Sequence, residues 1–334
     1  MQEKKIKLSI VIPTYNRAQA IVARVSELLP QLDDSVELVI IDNCSGTVVE
    51  DLISREIPAA SAKIRHLRNV ANIGGNANIC RCLEVGQGEW TWILGDDDFV
   101  HVDAVAKIIS EIDSAQTTVN FINFSTSLYT HQEKKSIAGL RDFTEAIEMA
   151  SCLSNLMFIS SSCYRSAAAR MHLCIAYHMT YSCASQVLVI SLILAERAGA
   201  GRISSDRLVE RTPCPPGHAW SSLVVVSGLP ALLDVQYVDS SLSVFVARIM
   251  EDVRWRPFMT AGIHYIFNDQ GRTVRFWWIT LTKVFICCGI KMKARSLLLM
   301  SILPFASIGL TRKIIRSMIS SVIDADVNHG KNRL

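Results

Sequence analysis

The sequence predicts an α/β protein built on a mostly parallel sheet, and three observations predict it. Short apolar runs rich in β-branched and aromatic residues recur at residues 8–13, 36–41, 64–67 and 90–94. Helical patterns separate them, so strand and helix alternate at the spacing of βαβ units. Three of the runs end in polar or acidic residues, at 13–17, 42–45 and 96–98. Ligands of such sheets bind at the carboxyl ends of the strands. Those three segments therefore predict one shared edge that carries the chemistry.

Taken in order, residues 8–13 form a strand stopped by Pro13. A helix follows over 18–32, with Ile21, Val25, Leu28 and Leu29 on its inner face. Residues 36–41 form a second strand with an exit turn at 42–46, and a helix covers 47–56. Residues 64–67 are a third strand. A polar, glycine-containing turn over 69–78 leads into a helix at 79–85, and the fourth strand runs from Trp90 to Leu94. Beyond it the pattern predicts a helix over 102–114, a strand over 119–129 and a polar hairpin or loop over 131–135. A helix over 142–150, a strand over 156–164, a helix over 166–176 and a long apolar helix over 181–197 come next. Short strands at 202–203 and 207–210 precede a Pro- and Gly-rich loop at 212–220.

After residue 221 the pattern turns helical, at 228–250, 258–267, 274–290 and 296–310. Arg275 and Lys283 interrupt the third of these, and Pro304 interrupts the fourth. A bilayer span takes about 20 apolar residues, so helices lying in a membrane plane or in a core are expected rather than a span. Residues 324–334 are polar and expected to fray. The sequence has no internal repeat and no low-complexity tract.

The 334 residues suffice for one large domain or two modest ones. Half are hydrophobic and 19% are charged, which supplies a large core. Charge is spread unevenly. Residues 1–247 carry 20 Lys/Arg against 26 Asp/Glu, and residues 248–334 carry 14 against 5. A basic, apolar rear points to an anionic membrane surface. Basic and aromatic residues also suit nucleic acid, but here they sit among long apolar runs. The ten cysteines include no Cys-x-x-Cys pair, Cys80 and Cys82 are too close for an ordinary disulfide framework, and Cys287 and Cys288 are adjacent. Reduced thiols in a cytosolic protein are expected. The first apolar run is six residues long and ends in proline, too short for a signal peptide.

Asp96, Asp97 and Asp98 close the fourth strand. Three adjacent carboxylates are costly to bury, so they belong at an exposed strand end, solvated, paired or bound to a metal. Their oxygens suit a hard cation, Mg²⁺ or Mn²⁺. The plainer alternative is an acidic cap for the following helix.

Four segments in order carry a family resemblance. They are Ile10-Val11-Ile12-Pro13-Thr14-Tyr15-Asn16-Arg17, Val39-Ile40-Ile41-Asp42-Asn43-Cys44-Ser45, Asn72-Ile73-Gly74-Gly75-Asn76 and Gly88-Glu89-Trp90-Thr91-Trp92-Ile93-Leu94-Gly95-Asp96-Asp97-Asp98. Together they resemble the nucleotide-sugar-binding half of a family 2 glycosyltransferase with the GT-A fold, a Rossmann-like, mostly parallel sheet flanked by helices. The Leu-Gly-Asp-Asp-Asp form is most similar to the bacterial O-antigen and capsule branch, including abequosyltransferase-like enzymes. On that resemblance residues 1–220 are the GT-A domain, with a nucleotide-sugar half at 1–100 and an acceptor half at 101–220. Residues 221–334 are a basic, apolar helical extension.

The resemblance implies site roles. A leaving nucleoside diphosphate needs its charge neutralised, which a carboxylate-held divalent ion does. The last acid of the DxD motif ligates that ion, so the role passes to Asp98. The first contacts the ribose, or the metal through water, and passes to Asp96. Three acids leave the frame ambiguous, so Asp97 faces the donor sugar or is itself the ligand. Asp42 matches the acid that meets the base ring, where a carboxylate accepts from an imide N–H; the alternative is a turn-forming aspartate. Pro13, Thr14 and Tyr15 match the loop around base and ribose. Tyr15 offers a stacking face or is an ordinary half-buried tyrosine. Arg17 meets a phosphate or is a solvated helix-start residue. Asn72, Gly74 and Asn76 match the turn before the donor-side helix. Gly74-Gly75 does not satisfy the dinucleotide fingerprint.

The second half departs from the family. Family members carry an acid opening the acceptor-side helix, followed by an apolar run, Ala-Gly, a short strand and an Arg. Residues 187–195, Ala198-Gly199 and Leu208-Val209-Glu210-Arg211 fit that tail, but Ser185-Gln186 stand where the acid belongs. An inverting transferase needs a base for the acceptor hydroxyl, and glutamine cannot serve. His178 is a substitute, or a histidine held by structural hydrogen bonds. Glu196 and Glu210 are further options, or surface acids. Residues 213–220 resemble the loop that closes over the diphosphate; there His218 reaches metal or phosphate and Trp220 stacks on a sugar, or both are merely packed.

Trp277-Trp278 with Arg272, Arg275, Lys283, Lys291, Lys293 and Arg295 suit a membrane interface, or a helical core with snorkelling cations. The expectation is therefore a glycosyltransferase of cell-surface polysaccharide biosynthesis. It sits peripherally on the cytoplasmic face of the cell membrane and transfers a sugar from a nucleotide donor to a polyprenyl-diphosphate-linked oligosaccharide, with Mg²⁺ or Mn²⁺ and no nucleic-acid partner. The alternatives are a non-catalytic membrane-surface assembly protein with a degenerate site and a sugar-phosphate nucleotidyltransferase. The latter needs a Gly-rich basic loop after the first strand, which Pro13-Thr14-Tyr15-Asn16 is not.

Overall fold

The computed structural model describes residues 5–61, 63–146, 155–196, 199–212, 227–235, 241–252, 258–259, 262–263, 266 and 273–306. The chain divides into two compact units, Met1–Ala219 and Trp220–Leu334.

The first unit is organised by β1 (Leu8–Thr14), which pairs in parallel with β2 (Val36–Asp42) on one side and β4 (Trp90–Ile93) on the other; β3 (Ile64–Arg68) extends the sheet beyond β2. Leu8, Ile10, Val11, Ile12, Trp90, Trp92 and Ile93 are fully buried. That is the near-continuous apolar pattern of strands covered on both faces. The connections are α1 (Ala18–Leu28), α2 (Val49–Glu56) with the short α3 (Pro58–Ser61), and α4 (Gly75–Val85). The helix expected over 18–32 stops at Leu28 and tightens into a 3₁₀ turn at Leu29–Gln31, because Pro30 cannot donate to the α-helical ladder. Helix α4 begins at Gly75, four residues before the sequence pattern placed it. Gly74, with a φ of 85°, turns the chain into it.

Beyond the triple acid, β5 (Phe99–Val100) is a short strand and α5 (Ala104–Ser114) follows. The sheet continues through β6 (Val119–Ser125), β7 (Lys135–Ile137), β8 (Ser162–Arg165) and β9 (Ala200–Arg207), in the order β3-β2-β1-β4-β8-β6-β9-β7. Strand β10 (Val209–Glu210) pairs antiparallel with β5. Strand β8 runs antiparallel to both β4 and β6. Its N-terminal end therefore lies at the same edge as the carboxyl ends of β1, β2, β4 and β6.

The strand expected over 156–164 is corrected. Ile159–Ser161 is a 3₁₀ turn and only Ser162–Arg165 is strand. The serine hydroxyls there bond backbone and side chains, which competes with ladder formation. Likewise 119–129 ends as strand at Ser125, and the helix expected at 166–176 is split into α7 (Ser166–Met171) and α8 (Leu173–His178). Helices α6 (Leu140–Ala146) and the buried, mostly apolar α9 (Ser185–Ala195) complete the described unit.

In the second unit α10 (Leu229–Leu232), α11 (Ser241–Asp252), α12 (Val274–Cys287) and α13 (Ile290–Ala306) are described. Helix α12 packs along α13. Among the described residues no helix is long and apolar enough to cross a membrane. The described cysteines are free thiols.

Candidate active site

The three strand exits converge. Thr14 ends β1, Asp42 ends β2 in register beside it, and Asn43 N–H donates to the Thr14 carbonyl at 2.9 Å. The two exit loops are then laced together. Asn16 donates its N–H to Ser45 Oγ and accepts from Gly46 N–H at its own Oδ1, both at 2.9 Å. Asn16 adopts a φ of 55°, a conformation that asparagine tolerates better than most residues. Tyr15, beside it, is 44% exposed, with its ring available at the edge.

The triple acid sits on the neighbouring strand exit and is held from three sides. Asp96 is buried, accepting from Thr14 Oγ at 2.6 Å on one oxygen and from Arg17 at 2.9 Å on the other. Arg17 also pairs with the half-buried Asp97 at 2.5 Å. Asp98 is buried, takes the Ser160 hydroxyl at 2.5 Å on Oδ2, and its backbone carbonyl accepts from Arg24. Arg24 is itself clamped by Glu27, which also receives the Val100 N–H at 2.9 Å. A Cβ at Gly95 would meet Asp98 Oδ2, so a side chain there would displace that carboxylate.

Burial pushes the Asp96 carboxyl above its ordinary range, against the Thr14 and Arg17 contacts. Burial pushes Asp98 up to about 7, against the Ser160 hydrogen bond and with the nearby charges of Asp97 and Asp96 adding to the shift. Two desolvated carboxyls beside a third are a site whose ionised form gains from a bound cation. The donors are oxygens, as a hard divalent ion prefers. Both oxygens of Asp96 are engaged, whereas Asp98 Oδ1 has no hydrogen-bond partner among the described residues. Asp98 is thus better disposed as the direct ligand and Asp96 as an outer one. No three of His, Cys, Asp and Glu among the described residues converge into a protein cage.

Asp42 is enclosed differently. Its Oδ1 accepts the Ser45 N–H at 2.8 Å and its Oδ2 pairs with Arg68, which also donates to the Ser45 carbonyl at 2.8 Å. Asn72 and Gly74 join this edge through an asparagine ladder. Asn43 donates to Asn72 Oδ1 at 2.9 Å, Gly74 N–H donates to the same oxygen at 2.8 Å, and Asn69 bridges Asn43 and Asn78.

The structure therefore brings together Pro13, Thr14, Tyr15, Arg17, Asp42, Asn72, Gly74 and Asp96–Asp98. It does not bring His178 to them. His178 is exposed at the end of α8, and its described contact is Cys174 Sγ at 4.0 Å. The adjacent Tyr177 bonds Glu84 in the last turn of α4, at the helix end opposite Gly75. Gln186 is buried, donating to the Met157 carbonyl at 3.3 Å, with no partner for its own side-chain carbonyl among the described residues. Glu196 pairs with His172. Partial burial opposes ionisation of Glu210, yet Arg207 and His101 hold it below its ordinary range, unlike a base. His218 and Trp220 lie outside the described residues.

Sequence reasoning missed Arg24, Ser160, Asn43 and Arg68. Arg24 left a signal, a cation on the apolar Ile21–Val25–Leu28 face of α1. Ser160 left none, because it is 62 residues from Asp98.

Residues 9–166 match the Glycosyl transferase family 2 domain. The chain is 29% identical over 113 residues to abequosyltransferase RfbV of Salmonella typhimurium, covering 32% of this chain and 33% of that protein. It is 28% identical over 113 residues to the succinoglycan biosynthesis protein ExoO of Rhizobium meliloti, covering 34% and 32%. The chain thus spans about a third of the length of these curated relatives. Among solved structures, S. aureus TarS 1-349 in complex with UDP superposes with a TM-score of 0.58 at 14% identity, covering 94% of this chain and 92% of that one. The mannosyltransferase PcManGT of Pyrobaculum calidifontis, in complex with GDP-Man and Mn²⁺, gives 0.50 at 13%, covering 99% and 88%. The sheet described above has the GT-A fold, and residues 9–166 of this chain match the glycosyl transferase family 2 domain.

Proposed function

We propose that the protein transfers a sugar from a nucleotide donor to a growing cell-surface oligosaccharide by metal-assisted inverting displacement. The observation that carries this reading is the convergence of Thr14–Arg17, Asp42 and Asp96–Asp98 on one sheet edge. When bound, a Mg²⁺ or Mn²⁺ ion supplies Lewis-acid neutralisation of the leaving diphosphate. Asp98 holds that ion, with Asp96 on the ribose side or reaching the ion through water. Asp42, Pro13, Thr14 and Tyr15 enclose the base and ribose. Arg17 pairs with Asp96 and Asp97, and on this reading it exchanges onto the diphosphate when the donor binds. Asp97 then faces the donor sugar.

The test is a panel of nucleotide sugars with Mn²⁺, reading nucleoside diphosphate release. Release that chelation abolishes is expected. Equal release with and without the ion would overturn the metal-assisted reading. For the acceptor's base, the exposed place of His178 away from this edge means that His178→Ala is expected to leave turnover near wild type; a large loss of turnover with donor binding kept would restore His178 as the base.

The proposed acceptor is polyprenyl-diphosphate-linked, met at the cytoplasmic membrane face. What supports this is the second unit. Residues 273–306 contain five cations and no acid. Trp278, Ile279 and Ile286 on α12 and Ile290, Leu297, Leu298 and Phe305 on α13 are exposed at helical spacing. Such a face binds in the plane of an anionic bilayer. The full chain should co-sediment with vesicles containing anionic lipid and not with neutral ones. Equal recovery with both, or with neither, sinks the membrane reading.

A further inference from the structure

We propose that Ser160 is a positioning residue for the cation-binding acid Asp98, fixing which carboxylate oxygen is presented to the ion. This rests on the reading that Asp98 holds the donor's divalent cation.

Ser160 is fully buried in the 3₁₀ turn Ile159–Ser161 that precedes β8. Three hydrogen bonds tie it to the strand that carries the acids. Trp92 Nε1–H donates to the Ser160 carbonyl at 2.9 Å. Gly95 N–H donates to Ser160 Oγ at 2.8 Å. Ser160 Oγ–H then donates to Asp98 Oδ2 at 2.5 Å. A hydroxyl has one hydrogen to give. With the Gly95 N–H occupying an Oγ lone pair, that hydrogen is directed at the carboxylate.

The carboxylate plane is fixed as a result. Oδ2 is taken by the serine and lies where a Cβ on residue 95 would crowd it, so the glycine leaves it room. Oδ1 is left without a hydrogen-bond partner among the described residues and is the oxygen free to meet a cation. Outer hydrogen bonds of this kind orient carboxylate ligands and are felt in metal affinity.

The turn is held in its own right. Ser161 Oγ donates to the Asn155 carbonyl at 2.7 Å. Asn123 Nδ2 on β6 donates to Ser161 Oγ at 3.2 Å and Ser162 Oγ at 2.9 Å. Asn155 Nδ2 in turn donates to Asn123 Oδ1 at 3.0 Å. The acceptor half of the fold, through β6 and this turn, therefore sets the geometry of an acid that belongs to the donor half. Ser162 shares the network without touching the acids, which makes it the structural control.

The experiment is a titration of the full chain with Mn²⁺ alone, followed by electron paramagnetic resonance, alongside thermal melting. Ser160→Ala should weaken Mn²⁺ binding about tenfold, and Asp98→Asn should weaken it further. Ser162→Ala should lower the melting temperature with Mn²⁺ affinity unchanged. Ser160→Cys, which fills the space with a weak donor, is the second variant and should weaken binding as Ser160→Ala does. Wild-type affinity in a folded Ser160 variant, with binding lost in Asp98→Asn, overturns the role of Ser160 and leaves the cation reading standing. Equal weakening in Ser162→Ala also overturns it, because packing of the turn would then be the cause. Wild-type affinity in Asp98→Asn overturns the cation reading itself.

Discussion

Asp42 and Asp98 end neighbouring parts of the same sheet edge and are equally buried, each 3% exposed. Their surroundings differ. Asp42 is matched on both oxygens, by the Ser45 N–H and by an Arg68 guanidinium that also closes the turn. Asp98 has one hydroxyl, the Arg24 charge at its backbone carbonyl, two acidic neighbours and, among the described residues, an oxygen without a hydrogen bond. Under the proposed function, equal burial with unequal compensation separates an acid already tied into the edge from one that a cation would complete. A buried carboxylate without full compensation is costly, and such cost is concentrated at functional sites.

The largest effect should come from removing the under-compensated charge. Asp98→Asn keeps the shape and the Ser160 contact, so the fold should persist while transfer in Mn²⁺ drops by about a thousandfold, a typical loss for a group that stabilises leaving-group charge. Asp42→Asn should instead raise the donor KM about tenfold with a smaller change in kcat, as expected of a group contributing uniform binding. Equal kcat losses in the two variants would erase the distinction.

How far this edge was legible in the sequence follows from the same contrast. The strand ends, Asp42, Asp96–Asp98 and Thr14–Arg17 were legible because each lies where an apolar run meets polar residues, a local pattern. The compensation was not, because it arrives from far along the chain: Arg68 is 26 residues from Asp42, and Ser160 is 62 from Asp98. The serine run at 160–162 was also read as strand interior, since its hydroxyls find their partners only in the folded sheet. His178 stands just before Ser185-Gln186 in sequence, but it is exposed at the end of α8, whose Tyr177 bonds Glu84 in the last turn of α4.

Stability should respond to pH through the same imbalance. Folded Asp98 holds its proton up to about pH 7, and an unfolded aspartate releases it near 3.8. The folded state therefore binds more protons in between, and cation-free stability falls as pH rises through that window, by on the order of 2–4 kcal/mol. His131 acts in the opposite sense. Burial pushes it down to about 4 from 6.5, so the unfolded chain takes up the proton first and stability falls as pH drops from 6.5 towards 4. The neutral ring is held at 2.7 Å from Asn123 Oδ1. Over pH 4–6.5 the two slopes oppose. Asp98→Asn should raise the cation-free melting temperature at pH 8 and expose a downward slope on acidification, which a further His131→Gln change should flatten. Mn²⁺ at pH 8 should stabilise the wild type and not Asp98→Asn. A wild-type melting temperature in Asp98→Asn at pH 8 would mean that Asp98 is not destabilising when ionised.

The smallest effect tests the compensated side. Arg68→Ala strips Asp42 of its cation and leaves the Ser45 N–H as its described partner. Because the Arg68 side chain is 37% exposed, water re-enters and screens what a fully buried pair would lose. A loss of about 1–2 kcal/mol follows, less than the ~3–5 kcal/mol of breaking a sealed pair. Denaturant unfolding measures it directly. The variant should also bring Asp42 closer to the condition of Asp98, a buried acid short of partners. If so, adding Asn at position 42 to the Arg68→Ala background should recover part of the lost stability. If the double variant is no more stable than Arg68→Ala, the Arg68 side chain contributes by packing over the turn, and the ion pair at Asp42 is not what distinguishes the two acids.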